Sequence, residues 1–85
     1  MPTLSFNYQQ IEPQVRHALY QAFGQHLAIG TEEIDGGRVF LKVIGEVFNG
    51  LSEKEKQERV WGVLQKLGTE GQAVSLVLAF GTDEI

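Results

Sequence analysis

Cysteine is absent from this 85-residue chain, which excludes a disulfide framework, a thiolate nucleophile and any self-contained iron–sulfur or cysteine-type zinc site. Long apolar runs are missing too. The longest, residues 39–44 and 73–80, are far too short to span a bilayer, and Met1-Pro2-Thr3-Leu4 lacks the basic start and apolar centre of a signal peptide. A cytoplasmic location is therefore expected. Positive charge is scarce: seven Lys and Arg stand against eleven Asp and Glu, for a net charge of −4. Such a chain gains little from general attraction to phosphate unless its bases cluster. Only Lys54, Lys56, Arg59 and Lys66 come near to clustering, and Glu53, Glu55 and Glu58 sit among them. The two histidines, His17 and His26, fall on different expected elements and lack metal-ligand spacing, so surface or packing roles are expected for both.

The length corresponds to one domain near the small end of what folds alone, which favours a compact binding or adaptor module over an enzyme. No Ser-His-Asp set, Walker motif, dinucleotide fingerprint or paired-carboxylate site can be assembled, and no cofactor is expected.

Residues 1–10 are polar with scattered Phe6 and Tyr8, and read as a lead-in to a single domain over residues 11–85. A first helix is expected to begin near Glu12, with Pro13 at its first position, where a missing N–H does no harm. Ile11, Val15, Leu19, Ala22 and Phe23 recur on one face of it, and Gly24 stops it. Residues 27–34 and 39–44 read as strands joined by the hairpin signal Asp35-Gly36-Gly37, and so antiparallel. In the second, Val39, Leu41 and Val43 face one way and Phe40, Lys42 and Ile44 the other, so a central place in a sheet is expected.

Residues 45–49 suit a single helical turn. Ser52 with Glu55 forms a capping-box pattern that starts a long helix, Glu55 and Arg59 stand at i, i+4, and Gly68 stops it. Val60, Val63, Leu64 and Leu67 make its apolar stripe with Trp61 at the edge, and Gly62 is unfavourable by about 1 kcal/mol relative to Ala. A last strand, residues 73–80, alternates Val74, Leu76, Leu78 and Phe80 against Ala73, Ser75, Val77 and Ala79. The expected fold is α+β: an αββααβ order with helices on one face of a three-stranded mixed sheet, and Val60, Leu64 and Leu67 buried beneath Val15, Leu19 and Phe23.

The set Phe48, Gly50, Val60, Trp61 and Leu64 resembles the signature of the BolA-like family, small αββααβ domains of the type II KH topology. That family carries a Phe, a Gly two residues on, an Arg-His-Arg triplet, then an aliphatic, an aromatic and a Leu at helical spacing. Here Lys56, Gln57 and Glu58 stand at the triplet, so the His is replaced by Gln57. The spacing of Val15, Leu19 and Phe23 and the exit Phe80-Gly81-Thr82-Asp83-Glu84 also resemble the family.

The resemblance implies a partner of monothiol glutaredoxins in iron–sulfur homeostasis, or a transcriptional regulator. A cluster role needs an imidazole on the long helix and a second His or Cys near the first hairpin. Gln57 is a poor iron ligand and the loop 32–37 offers only carboxylates, so no ligand role is carried over. What remains is a protein-binding surface on the long helix and the turn before it, with Phe48, Gly50, Lys54, Lys56, Gln57 and Trp61 as its candidate residues. The alternative is a KH-like nucleic-acid or regulatory binder using Lys54, Lys56 and Arg59. Gly68-Thr69-Glu70-Gly71 matches the KH Gly-x-x-Gly pattern, but it falls between the long helix and the last strand rather than between the helices, and it carries a Glu.

Overall fold

In the computed structural model, which describes residues 6–85, Asn7 opens the first helix: its side-chain oxygen accepts from the Gln10 backbone N–H at 3.3 Å. Helix α1 is Tyr8–Phe23, so it starts a turn before the expected position at Glu12. Pro13 is its sixth residue rather than its first. The missing N–H deprives only the carbonyl of Gln9, an exposed residue, so water can serve it and the helix runs through. Of the expected lead-in, Tyr8 to Gln10 are helical, Phe6 donates its N–H to the Gly36 carbonyl at 2.7 Å, and residues 1–5 lie outside the described residues. Ile11, Val15 and Leu19 are buried, Phe23 is half-buried, and Ala22, expected on the same stripe, is exposed.

Strands β1 (Ala28–Ile34), β2 (Arg38–Ile44) and β3 (Val74–Phe80) make a mixed sheet in the order β1-β2-β3, antiparallel at the first pairing and parallel at the second. The hairpin closes through Asp35–Gly37, where Gly36 and Gly37 take φ of 80° and 75°, left-handed values that side chains resist. β2 is the central strand, and its Val39, Leu41 and Val43 are fully buried. The regular alternation expected along the last strand is broken. Val39 pairs with Val74 but Phe40 pairs with Leu76, so Ser75 is the extra residue of a β-bulge. Ala73 and Val74 are consequently both buried, and beyond the bulge Val77 and Ala79 face in while Leu76 and Leu78 face out.

Helix α2 is Glu53–Gln65 and carries the capping box: Glu55 N–H donates to Ser52 Oγ at 3.1 Å, and Ser52 N–H to Glu55 Oε1 at 2.9 Å. Val60 and Leu64 are buried; Val63 and Leu67 are only half-buried, Leu67 lying past the helix end. The Gly-x-x-Gly stretch, expected as a loop, holds a single helical turn, α3 (Thr69–Gln72). Gly71 is buried there, and the Leu64 carbonyl oxygen lies 1.8 Å from where a Cβ would stand, so only glycine fits. Helices α1 and α2 close over one face of the sheet. The ring of Phe48, from the turn Glu46–Phe48, plugs the core against Phe23 with centroids 5.4 Å apart.

Candidate functional site

The six residues singled out from the sequence do not form one surface. Phe48 is fully buried and offers nothing to a partner. Gly50 sits in an exposed turn at φ 76°, its N–H donating to Asp83 Oδ2 at 3.3 Å, and Lys54 is exposed on the first turn of α2. Lys56, expected in an exposed basic cluster, is only 2% accessible. Its ammonium donates to Glu84 at 2.6 Å and lies 3.3 Å from Glu53, so it holds the segment after β3 against the start of α2. The Glu84 carboxylate keeps Lys56 above the ordinary lysine range although burial opposes this; Lys56, joined by the Gly81 N–H, keeps Glu84 below the carboxylate range. Asn49 adds to this clasp through Thr82 Oγ1 at 2.9 Å and the Asp83 N–H at 3.3 Å.

Gln57, a candidate for partner binding, is half-buried and bonded at both ends of its amide. Nε2 donates to the Val77 carbonyl at 2.8 Å, and Oε1 accepts from Trp61 Nε1 at 2.9 Å. Gly45 N–H donates to the Phe80 carbonyl, which fixes the ladder phase: Leu76, Leu78 and Phe80 turn their backbone groups to β2, and Val77 turns its own to the open edge. Gln57 therefore caps the free edge of β3. The opposite edge is treated likewise. Arg16 Nη1 donates to the Ile29 carbonyl on β1 at 3.3 Å, while its Nε–H and Nη2–H hold Glu12. Glu12 also accepts from Thr31 Oγ1 at 2.7 Å, and Tyr8 Oη lies 2.7 Å from that hydroxyl. Arg16, then Thr31, keep the Glu12 carboxyl below its ordinary value against the opposing effect of burial. Each sheet edge thus has a carbonyl occupied by a side chain from the helix beside it, a device that discourages strand addition.

What remains open is the face of the sheet turned away from the helices. Along it, β1 presents Ala28, Gly30, Glu32 and Ile34; β2 presents Arg38, Phe40, Lys42 and Ile44; β3 presents Leu76, Leu78 and Phe80. Leu76 is 49% accessible, Leu78 38% and Ile34 37%, with Phe40, Ile44 and Phe80 half-buried between them. Lys42 Nζ stands 5.6 Å from the centroid of the Phe80 ring. The helices leave this face open, and at one end of it the Arg38 guanidinium lies 6.0 Å from the centroid of the Phe6 ring. The outward set of β2 is visible in the sequence as Phe40, Lys42 and Ile44, and the expected placement of the helices on one face leaves it on the other.

Pockets for a small ligand are poorly developed around the α2 residues. Trp61, Leu64, Gln65, Gly68, Gly71 and Gln72 line a cleft of about 170 Å³, below the roughly 300–1,000 Å³ of typical small-molecule sites. His17 and His26 are exposed, and among the described residues no group of three or more His, Cys, Asp or Glu side chains could hold a metal ion. No helix of the described residues is long and apolar enough to cross a membrane. Comparisons with protein-family models, curated proteins and solved structures find no match to this chain.

Proposed function

We propose that this protein is a small cytoplasmic protein-binding adaptor, a divergent BolA-like domain, and that it binds through the open face of its sheet. The carrying observation is the exposure of Ile34, Leu76 and Leu78 on one face, joined by the half-buried Phe40, Ile44 and Phe80. The largest apolar patch on a monomeric protein, typically about 300–600 Å², is often its interaction surface. Most of its side chains are aromatic or aliphatic, with Lys42 among them on the central strand and Glu32 and Arg38 beside it.

The resemblance supplies a candidate partner, a monothiol glutaredoxin, and the geometry qualifies what such an encounter would involve. Gln57 stands where the family has its His, and both ends of its amide are committed to Trp61 and Val77. This supports binding of protein without donation of a cluster ligand. The test compares wild-type, Leu76→Glu and Lys54→Glu proteins as baits in native cytosol, with the bound proteins identified. Retained proteins lost with Leu76→Glu and kept with Lys54→Glu are the expected result. The same proteins held by all three would remove the sheet face from the reading.

A further inference from the structure

We propose that the occupant of the open sheet face is a second copy of this chain, packed face to face about a two-fold axis that runs across the strands at the level of Leu41. This rests on the reading of that face as a protein-binding surface. Strand register supports it. Across the sheet the outward residues fall into four rows: Ile34 with Arg38; Glu32 with Phe40 and Leu76; Gly30 with Lys42 and Leu78; Ala28 with Ile44 and Phe80. An axis across the strands at Leu41 exchanges the second row with the third and the first with the fourth.

The exchange is self-complementary in size on β1 and in charge across the two middle rows, as an isologous contact must be, while Arg38 comes opposite Ile44 at the ends, where it lies over the Phe6 ring. On β1 the two large residues, Ile34 and Glu32, come opposite the two small ones, Ala28 and Gly30, of the other copy. The space above Gly30 is empty, a Cβ there meeting no heavy atom within 4 Å. Glu32 of one copy can enter it and lie beside Lys42 of the other. Lys42, already over Phe80, comes opposite the second copy's Phe40, and Leu76 comes opposite Leu78. The other simple two-fold, with its axis along β2, sets Lys42 on Lys42 and Arg38 on Arg38 and is disfavoured by like charge.

Size sets the strength. Three seven-residue strands at about 3.3 Å per residue and about 4.8 Å apart give a flat footprint of roughly 23 by 14 Å, or about 320 Å² per copy. Side-chain relief increases that area, yet it stays below the roughly 800 Å² per partner of a stable complex. The dimer is therefore weak and concentration-dependent, one that a tighter partner of the same face would displace.

Sedimentation equilibrium over a range from about 10 μM to 1 mM tests this, with circular dichroism to confirm each fold. Wild type should dimerise within that range. Glu32→Lys and Lys42→Glu, each placing like charges together across the axis, should weaken the dimer at least about tenfold, and the double exchange should recover most of the loss. A dimer indifferent to both single changes, or a double variant as weak as the singles, would overturn the arrangement. A wild-type protein that stays monomeric would overturn the inference too, and the Leu76→Glu bait then separates the cases. Captured proteins lost from that bait leave the binding face intact with a different occupant, such as an apolar helix, whereas unchanged capture removes the face as well.

Discussion

Gln57 and Val77 are joined by a hydrogen bond of 2.8 Å that runs from a helix side chain to the outer edge of a strand. Gln57 also accepts from Trp61, so one amide satisfies an indole and a strand carbonyl together. An apolar residue can do neither. Gln57→Leu is expected to lower stability by about 1–3 kcal/mol, the range for leaving such partners unsatisfied. Gln57→Glu, which keeps the acceptor for Trp61 and loses the donor to Val77, should fall between. Urea unfolding measures both, with Trp61 emission as the local probe; midpoints equal to wild type would show the bond contributes nothing.

Gly62 is exposed and a Cβ there meets no heavy atom within 4 Å, so no close approach requires it. The helix has simply accepted a poor former. Gly62→Ala should stabilise by up to about 1 kcal/mol without altering the sheet. An unchanged or lowered thermal midpoint would contradict this.

Leu64 is 1% accessible and packs in the core with Val60, Val15 and Leu19. Leu64→Ala should be destabilising by about 2–5 kcal/mol, enough to unfold a domain of this size. A variant with a native far-ultraviolet spectrum and a denaturation midpoint close to wild type would show that the core does not rest on this helix.

The Lys56–Glu84 pair makes stability depend on pH at both extremes. Glu84 has its pKa lowered from 4.5, so its contribution is full above that value and is lost as pH falls through the lowered one. Lys56 has its pKa raised from 10.5, so its contribution is full below that value and is lost as pH rises through the raised one. Glu84→Gln should flatten part of the acid limb of a plot of urea midpoint against pH, leaving the part due to Glu12 and Glu55. An acid limb of unchanged slope would exclude Glu84 as a contributor.

Nucleic acid should bind weakly or not at all at physiological salt. Burial of Lys56 against Glu84 removes one cation from the cluster at the start of α2, and Glu53 and Glu55 flank what is left within a Debye length of about 8 Å. Anisotropy titrations against single-stranded DNA and RNA at rising salt decide the matter. Submicromolar affinity that falls steeply with salt would favour the KH-like alternative.

The parts of the fold legible in the sequence are those set by local chemistry. Val15, Leu19, Val60 and Leu64 repeat at helical spacing, Ser52 and Glu55 cap their helix three residues apart, and Asp35-Gly36-Gly37 can only turn. The misplaced helix start has a local cause as well: Pro13 is a strong first-position signal, yet Asn7 caps the chain a turn earlier. What could not be read depends on partners far along the chain. Lys56 meets Glu84 across 28 residues and Gln57 meets Val77 across 20, and each looks like an exposed helix residue until that partner is in place. The bulge at Ser75 is a matter of register between two strands, which composition does not record. The open face is half legible: the expected fold puts the helices on one side only and Phe40, Lys42 and Ile44 point away from Val39, Leu41 and Val43, but which β1 and β3 residues stand beside them follows from the pairing register.

The parallel pairing of β2 with β3 has a kinetic consequence. β1 and β2 meet through a three-residue turn and can close within microseconds, but β3 reaches β2 only after the whole crossover through α2 and α3 has been gathered in. Until then the hairpin shows apolar side chains on both faces of β2 and an uncapped edge beside it. Docking of β3 is thus the expected slow step, and core substitutions in β3 that leave the folding nucleus untouched should speed unfolding more than they slow folding.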